Sequence, residues 1–117
     1  MNEFILVFIT CPSKEKALEI KDMLLKERLA GCINLISDIS SFFWWQKKLD
    51  FAREVLLLIK THKRLFKELC EKVKKLHEYS VPEIIAVPIS LRLTRLFRMV
   101  KGKFKVIKIW NIGESQK

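Results

Sequence analysis

The sequence predicts a ferredoxin-like α+β sandwich, in which two helices cover one face of an antiparallel sheet through a split βαβ arrangement. Two observations predict this fold class. Short apolar runs alternate with amphipathic stretches in the order β-α-β-β-α-β, and the 117 residues, half of them apolar, are enough for one hydrophobic core. We therefore expect one ferredoxin-like domain over residues 1–100 and a basic C-terminal extension over residues 101–117.

The first half of the chain predicts a strand, a helix and a long hairpin. The unbroken apolar run Phe4 to Ile9 is typical of a buried strand, and residues 13–29 carry apolar side chains every three to four positions, as amphipathic helices do. Gly31 is the expected left-handed stop after this helix. Cys32 to Trp45 then has an extended pattern, and a polar turn joins it to the apolar run Val55 to Ile59, which predicts a long antiparallel hairpin.

The second half predicts another helix and a fourth strand. An amphipathic pattern runs from about residue 61 to His77, and Pro82 marks its end. The apolar run Ile84 to Ile89 is the predicted fourth strand. Residues 93–100 suggest a short third helix, and residues 103–110 alternate lysine with apolar side chains, which is typical of an edge strand or a flexible tail.

Apolar side chains occupy both faces of the predicted sheet. Three of the strands are apolar at consecutive positions, and the aromatic run Phe42 to Trp45 must point to both sides of its hairpin. Two helices cover only one of these faces. Since soluble monomers rarely expose an apolar patch larger than a few hundred Å², we expect a homo-oligomer that covers the second face. The alternative role for the aromatic run is stacking on nucleic-acid bases.

The cysteines and the N-terminal segment predict a cytoplasmic protein. Cys11, Cys32 and Cys70 are an odd number without a C-x-x-C pair, which fits reduced thiols better than disulfides or a zinc motif. Met1 to Thr10 lacks the basic start and the small-residue cleavage site of a secretory signal. No apolar run approaches the roughly 20 residues that span a bilayer, so we expect no transmembrane segment.

Motifs of common enzyme classes are absent from the sequence. The three glycines, Gly31, Gly102 and Gly113, cannot form a dinucleotide fingerprint or a phosphate-binding P-loop. Neither G-x-S-x-G nor H-E-x-x-H occurs. We therefore expect a protein that is not an enzyme and that uses no nucleotide or organic cofactor.

Five separated blocks of the sequence are similar to motifs of one protein family. In chain order they are Thr10-Cys11-Pro12, Glu27 to Asn34 (ERLAGCIN), Phe43 to Lys48 (FWWQKK), Glu54 to Thr61 (EVLLLIKT) and His77 to Ile84 (HEYSVPEI). The second, third and fifth resemble A-A-C-x-N, Y-x-W-x-G-K and H-P-Y-x-V-P-E-I, which are motifs of the CutA family of divalent-cation tolerance proteins. The resemblance covers about residues 3–100. It implies a ferredoxin-like fold assembled as a tight homotrimer through the long hairpin, an architecture shared with PII signalling proteins.

The chain departs from the family's motifs in the hairpin and in the last helix. Phe43 stands for the usual Tyr and Lys47 for the usual Gly. Because lysine resists the positive φ that glycine allows, we expect the hairpin turn to be of a different type. Leu96 to Val100 (LFRMV) stands for Y-L-x-W-L, so this helix lacks the usual Tyr and Trp, and the chain from Lys101 onward extends beyond the family's typical end.

The resemblance implies a metal site at Cys32 and His77, with copper or another divalent cation as the bound ion. A thiolate suits Cu(I), an imidazole suits copper or zinc, and a trimer can bring ligands from different subunits together. Glu83 is a candidate third ligand or a hydrogen-bond partner. In the alternative interpretation Cys32 is a small buried residue at a strand start, and His77 interacts with the carbonyl end of its helix.

Two further residues are expected to have structural roles only. His62 lies at a helix start among basic residues, which indicates an exposed surface position. Cys70 follows Phe66 by one helical turn, which indicates a core or near-core position.

The predicted function is divalent-cation (copper) tolerance or metal response by a non-enzymatic homotrimer. One alternative is a PII-like sensor that holds a small effector between subunits. The other is a module that binds nucleic acid or an anionic surface, because residues 61–117 carry 14 Lys and Arg against 5 Asp and Glu. Its basic side chains would come from the C-terminal region, namely Arg92, Arg95, Arg98, Lys101, Lys103, Lys105 and Lys108. A solubilising surface that blocks edge-strand pairing explains the same charges.

Overall fold

The fold is the predicted ferredoxin-like sandwich. The structure, a computed structural model, describes residues 3–77 and 82–91. The elements are β1 (Phe4–Cys11), α1 (Lys14–Lys26), β2 (Cys32–Trp45), β3 (Lys48–His62), a 3₁₀ turn (Lys63–Leu65), α2 (Phe66–Leu76) and β4 (Ile84–Pro88). They form one antiparallel sheet in the order β2-β3-β1-β4. The helix and strand predicted over residues 93–110, and the basic extension, lie outside the described residues.

The core lies between the helices and one face of the two central strands. Burial alternates along β1, and the buried side chains face equally buried partners on β3. The paired core residues are Ile5 and Thr61, Val7 and Ile59, Ile9 and Leu57, and Cys11 and Val55. The helices cover this face with Ala17, Ile20 and Leu24 of α1 and Leu69 and Val73 of α2. Each large apolar side chain buried here stabilises the fold by about 1.5–3 kcal/mol.

Helix α1 ends one turn earlier than Gly31. The left-handed residue is Arg28, with φ 58°. The amide of Leu29 donates to the carbonyl of Leu24 (2.8 Å), and the amide of Arg28 donates to the carbonyl of Leu25 (3.1 Å), which together form a Schellman motif. Gly31 has no positive φ, so the predicted role of this glycine is wrong. The physical reason is packing, because this turn returns the fully buried Leu29 to the core beside Leu24.

A bulge divides the long β2–β3 hairpin into two parts. Ser37 and Asp38 lie between the paired positions Ile36 and Ile39, opposite the single residue Val55. Asp38 has φ 59°, a left-handed conformation that aspartate tolerates better than most residues. Side chains alternate along a strand, so the extra residue shifts this alternation by one position. Even-numbered residues of β2 after the bulge therefore face the side of the sheet opposite to those before it.

The hairpin closes in a two-residue turn at Gln46 and Lys47. Both residues have positive φ, 50° and 67°, which is the signature of a type I′ turn. The expectation that Lys47 avoids a positive φ is therefore wrong. A type I′ turn matches the right-handed twist of the two strands, and this match outweighs the preference of lysine.

The second face of the sheet is uncovered in the single chain, as the sequence predicts. Ile85 and Val87 of β4 and Ile36 of β2 are 49%, 40% and 40% exposed on this face. At the end of the hairpin, two cross-strand pairs of apolar residues lie on one side, Phe42 with Phe51 and Trp44 with Leu49, and these side chains are 58–76% exposed. We call Phe42, Trp44, Leu49 and Phe51 the hairpin patch.

Replacing Lys47 by glycine tests the turn. Glycine has no Cβ to clash in the left-handed region, so Lys47→Gly should raise the free energy of unfolding by about 1 kcal/mol. The matched control is Lys48→Gly in the adjoining strand position, which should lower it by about 0.5–1 kcal/mol. Urea denaturation at one fixed protein concentration measures both. Equal destabilisation by the two variants would contradict the positive φ at Lys47.

Candidate functional site

The thiol of Cys32 lies on the uncovered face of the sheet, beside a lysine. Cys32 begins β2 directly opposite Lys60 of β3. The neighbours of Lys60 along β3, Ile59 and Thr61, point into the core, so Lys60 and Cys32 point away from the helices. The Lys60 ammonium lies 4.0 Å from the Cys32 Sγ and donates to Asn34 Oδ1 at 2.5 Å. The half-buried thiol therefore has a positive charge as its neighbour.

The imidazole of His77 joins the end of α2 to the end of β1. His77 follows the last residue of α2, and its amide donates to the carbonyl of Val73 at 2.8 Å. Its ring Nε2 lies 2.7 Å from the carbonyl oxygen of Thr10, and the residue is only 8% exposed. A carbonyl oxygen can only accept, so Nε2 carries the proton and donates. An ion held by this ring would therefore bind Nδ1, because Nε2 is engaged by the Thr10 carbonyl.

Within one subunit, Cys32 and His77 do not meet. The register runs from Cys32 to Lys60 on β3 and from Lys60 to Leu6 on β1. The carbonyl that holds His77 belongs to Thr10, four residues further along β1, or about 13 Å at the rise of a strand. Cys32 also lies two strands across the sheet, about 10 Å away, and on the side opposite the helix layer that carries His77. Among residues 3–77 and 82–91, no three His, Cys, Asp or Glu side chains are placed to hold a metal ion.

Thr10 brings Glu83 to the same end of β1 as His77. The Thr10 hydroxyl donates to Glu83 Oε1 at 3.3 Å, while the Thr10 carbonyl accepts from His77. Of the two roles expected for Glu83, the structure contains the hydrogen-bond partner. The sequence analysis missed Thr10, Asn34 and Lys60. Two signals were available: all three residues lie in the family-like blocks, and the two-residue spacing of Cys32 and Asn34 puts both on one strand face.

The Cys11 thiol, at this end of β1, is not reactive at neutral pH. Cys11 is fully buried, opposite Val55. Burial, together with the Glu54 carboxylate, raises the pKa of the Cys11 thiol from 9.0 to about 11, against the opposing charge of Lys16. The thiolate is the form that binds metals and attacks electrophiles, so Cys11 is a core residue rather than a ligand or nucleophile.

His62 and Cys70 have structural roles. The His62 Nδ1 accepts the amide of Arg64 at 3.1 Å, which caps the 3₁₀ turn, and its ring packs edge-on against Phe4. Burial and the Arg64 charge lower the pKa of His62. His62 is therefore half-buried rather than the plain surface residue that the sequence predicts. Cys70 is half-buried on α2, as expected for a near-core residue, and burial raises the pKa of its thiol.

The fold and the site together define a class of protein: an α+β domain with an uncovered apolar sheet face and a long hairpin, in which the Cys32 thiol and the His77 imidazole lie at separate ends of the sheet. No helix among the described residues is long and apolar enough to cross a bilayer. A family model described as "CutA1 divalent ion tolerance protein" matches residues 5–101.

The chain belongs to the CutA1 family. It is 46% identical over 84 residues to the divalent-cation tolerance protein CutA of Thermus thermophilus, covering 72% of this chain and 82% of that protein. It is 44% identical over 86 residues to the chloroplastic protein CutA 1 of rice, covering 74% of this chain. The matched region spans about half, 49%, of the rice protein.

Solved structures of the family have the same fold. The crystal structure of CutA1 from Oryza sativa superposes with a TM-score of 0.86 at 36% identity, covering 89% of this chain and 95% of that one. The periplasmic CutA of Archaeoglobus fulgidus superposes with a TM-score of 0.82 at 36% identity, covering 86% and 97%. The resemblance found in the sequence motifs is therefore confirmed at the level of family and fold.

The buried Cys11 thiol gives a pH-dependent stability that can be measured. The unfolded thiol loses its proton near pH 9 and the folded thiol near pH 11. Between these values the folded state binds more protons, so the free energy of unfolding falls as pH rises, by at most about 3 kcal/mol. Urea denaturation of Cys11→Ala from pH 8 to 11 should lack this component. Cys32→Ala keeps Cys11, so this control should retain the pH-dependent component. If the free energy of unfolding changed with pH identically in the wild type, Cys11→Ala and Cys32→Ala, the assignment to Cys11 would be contradicted.

Proposed function

We propose that this protein is a divalent-cation tolerance or metal-response protein that binds copper, or another divalent cation, as a homotrimer without catalysing a reaction. Membership of the CutA1 family supports the tolerance role. The observation that carries the metal proposal is the orientation of His77. Metal-binding histidines usually donate their other ring N–H to a carboxylate or a backbone carbonyl, and His77 donates Nε2–H to Thr10 in this way.

The donor chemistry fits a soft or borderline ion. A cysteine thiolate and an imidazole nitrogen suit copper or zinc, whereas magnesium and calcium require oxygen ligands. Cys32 Sγ and His77 Nδ1 would hold the ion, which would act as cargo or signal and not as a reagent.

The charge on Lys60 favours a monovalent ion at the Cys32 thiolate. Two unit charges at 4 Å repel by about 1 kcal/mol in water and about 4 kcal/mol near a protein surface. A divalent ion beside the Lys60 ammonium meets twice the repulsion of a monovalent one. Cu(I) therefore fits this position better than Cu(II) or Zn(II).

A trimer supports the metal proposal because one subunit cannot supply both ligands to one ion. An ion held by Cys32 and His77 takes them from different subunits, given their separation in one sheet. The uncovered sheet face and the hairpin patch provide apolar surface for such an assembly. The resemblance to the CutA family implies that the assembly has three subunits.

The cytoplasm is the compartment we propose. Cys11, Cys32 and Cys70 are free thiols in the structure, which suits a reducing environment. The rice relative is named chloroplastic and the Archaeoglobus relative periplasmic, so compartment varies among related proteins.

A PII-like effector sensor is the second candidate function, and a charged cleft beside the bulge of β2 supports it. The nucleic-acid module has support from sequence charge alone, since its basic residues lie outside the described part of the chain.

Copper affinity of the purified oligomer tests the metal proposal. Competition with a Cu(I) chelator under reducing conditions, and with a Zn(II) chelator in parallel, gives both affinities. Cys32→Ser and His77→Gln should each weaken Cu(I) binding by more than about tenfold. Glutamine keeps an N–H that can reach the Thr10 carbonyl, so this variant removes Nδ1 and spares the contact that fixes the end of α2.

The chain offers a matched cysteine and a matched histidine as controls. Cys70→Ser and His62→Gln should leave copper affinity unchanged. Binding too weak to compete with the chelator, or equal loss in the control variants, would refute the site. Binding of Zn(II) much more tightly than Cu(I) would refute the role given to Lys60.

The hairpin patch makes the assembly testable. A charge buried without a partner is strongly unfavourable, so Trp44→Glu should dissociate the oligomer. Leu18→Glu places the same charge on the outer side of α1, where the native side chain is 38% exposed, and should leave assembly intact. Sedimentation at micromolar concentration should give three times the chain mass for the wild type and for Leu18→Glu. A monomeric wild type would contradict the proposal.

A further inference from the structure

An open cleft of about 370 Å³ lies where β1 ends and the bulge interrupts β2. Its lining comes from three separate segments: the chain leaving β1, the bulge, and the facing part of β3. The lining residues are Pro12, Lys14, Ser37, Asp38, Arg53, Glu54 and Val55. The volume is near the lower end for ligand pockets, which run from about 300 to 1,000 Å³, so it suits a small metabolite.

The cleft combines an apolar floor with charges of both signs. Val55 is 6% exposed and Pro12 is half-buried, so part of the surface is apolar. Among the described residues, neither Arg53 nor Lys14 forms an ion pair within 4 Å, and the same is true of Asp38. The Arg53 and Lys14 cations thus share one concave surface with the Asp38 carboxylate without forming an ion pair with it.

The bulge is what brings Asp38 to this surface. Ser37 and Asp38 have no cross-strand partners, and Asp38 has the left-handed φ of 59°. In a regular hairpin both residues would be paired in the ladder. Bulges commonly re-aim side chains beside functional sites, and here the bulge places a hydroxyl and a carboxylate on the wall of the cleft.

We propose that this cleft binds a small zwitterion that carries one acid group and one ammonium group, as a free amino acid does. Arg53 and Lys14 receive the acid group, and Asp38 receives the ammonium group. The floor formed by Val55 and Pro12 contacts the aliphatic part of the ligand. This site shares no residue with Cys32 or His77 and is independent of the proposed metal binding.

The charge balance separates this ligand class from others. The lining holds two cations, Arg53 and Lys14, and two carboxylates, Asp38 and Glu54, so its formal charge is zero. A divalent cation would meet both positive side chains, and a polyphosphate would meet both carboxylates. Either ion would be desolvated beside like charges, which is unfavourable. A molecule with one charge of each sign satisfies both sets.

Calorimetric titration of the purified full-length protein with each of the common L-amino acids, up to millimolar concentration, tests the proposal. At least one should bind saturably. Arg53→Gln and Asp38→Asn should each weaken that binding by about tenfold or more, the usual scale for one charged hydrogen bond. Asparagine also tolerates a left-handed φ, so Asp38→Asn removes the charge without breaking the bulge.

Two matched controls and two ligand analogues complete the experiment. Arg64→Gln and Asp22→Asn make the same changes at positions outside the cleft and should not alter affinity. The analogue of the bound amino acid without its amino group, and the one without its carboxylate, should each bind at least about tenfold more weakly.

Three results would overturn the proposal: no binding by any amino acid, binding that ignores both cleft variants, or equal binding of the analogue that lacks the amino group. The last would show a simple anion site. Cys32→Ser should leave amino-acid binding unchanged, which separates this test from that of the metal site.

Discussion

Burial of alternate residues along β1 and β3 is the constraint on which the rest of the structure depends. These strands pair without interruption from Phe4 and His62 to Cys11 and Val55. One face of the pair is almost fully buried by the helices, and each large apolar side chain there contributes about 1.5–3 kcal/mol. A slip of one residue would turn the whole set to the other face, so the register is strongly fixed. The positions of Cys32 and of the Thr10 carbonyl that contacts His77 follow from this register.

The candidate ligands show this dependence. Cys32 lies on the uncovered face because it pairs with Lys60, whose neighbours in β3 are core residues. His77 comes from the helix layer and finds the Thr10 carbonyl where β1 ends. The sheet therefore separates the two side chains that the family resemblance pairs. A shared ion is compatible with this fold only when subunits combine, so assembly and metal binding are one question here.

The end of β1 is also where the hairpin changes. Opposite Val55, β2 adds an extra residue, and beyond that point the hairpin extends past the end of β1. The bulge reverses the alternation of β2, which puts Phe42 and Trp44 on the same side as Leu49 and Phe51. Without the bulge, Phe42 and Trp44 would lie on the opposite side of the hairpin from Leu49 and Phe51. One local irregularity thus creates both the apolar hairpin patch and the charged cleft.

The two candidate sites differ in the charged residues that surround them. Lys60 places a positive charge beside Cys32, which matters most for an ion of high charge. In the cleft, Arg53 and Lys14 lie near the Asp38 carboxylate without forming an ion pair with it. We proposed the first for a soft ion of low charge and the second for a small dipolar molecule, and the two candidate sites share no residue.

The sequence by itself determined the element order, the hairpin, the incomplete cover of the sheet and the family. The period of the apolar residues and the length of the apolar runs carry this information, because an element buried on one face and an element buried on both faces have different patterns of apolar residues. The tertiary structure alone decided what depends on register: Lys60 beside Cys32, Thr10 between His77 and Glu83, and Ser37 and Asp38 in a bulge. It also placed Arg28 and Lys47 in left-handed conformations that their residue types disfavour. Those features arise from packing and strand twist between distant segments, and no local pattern in the sequence encodes them.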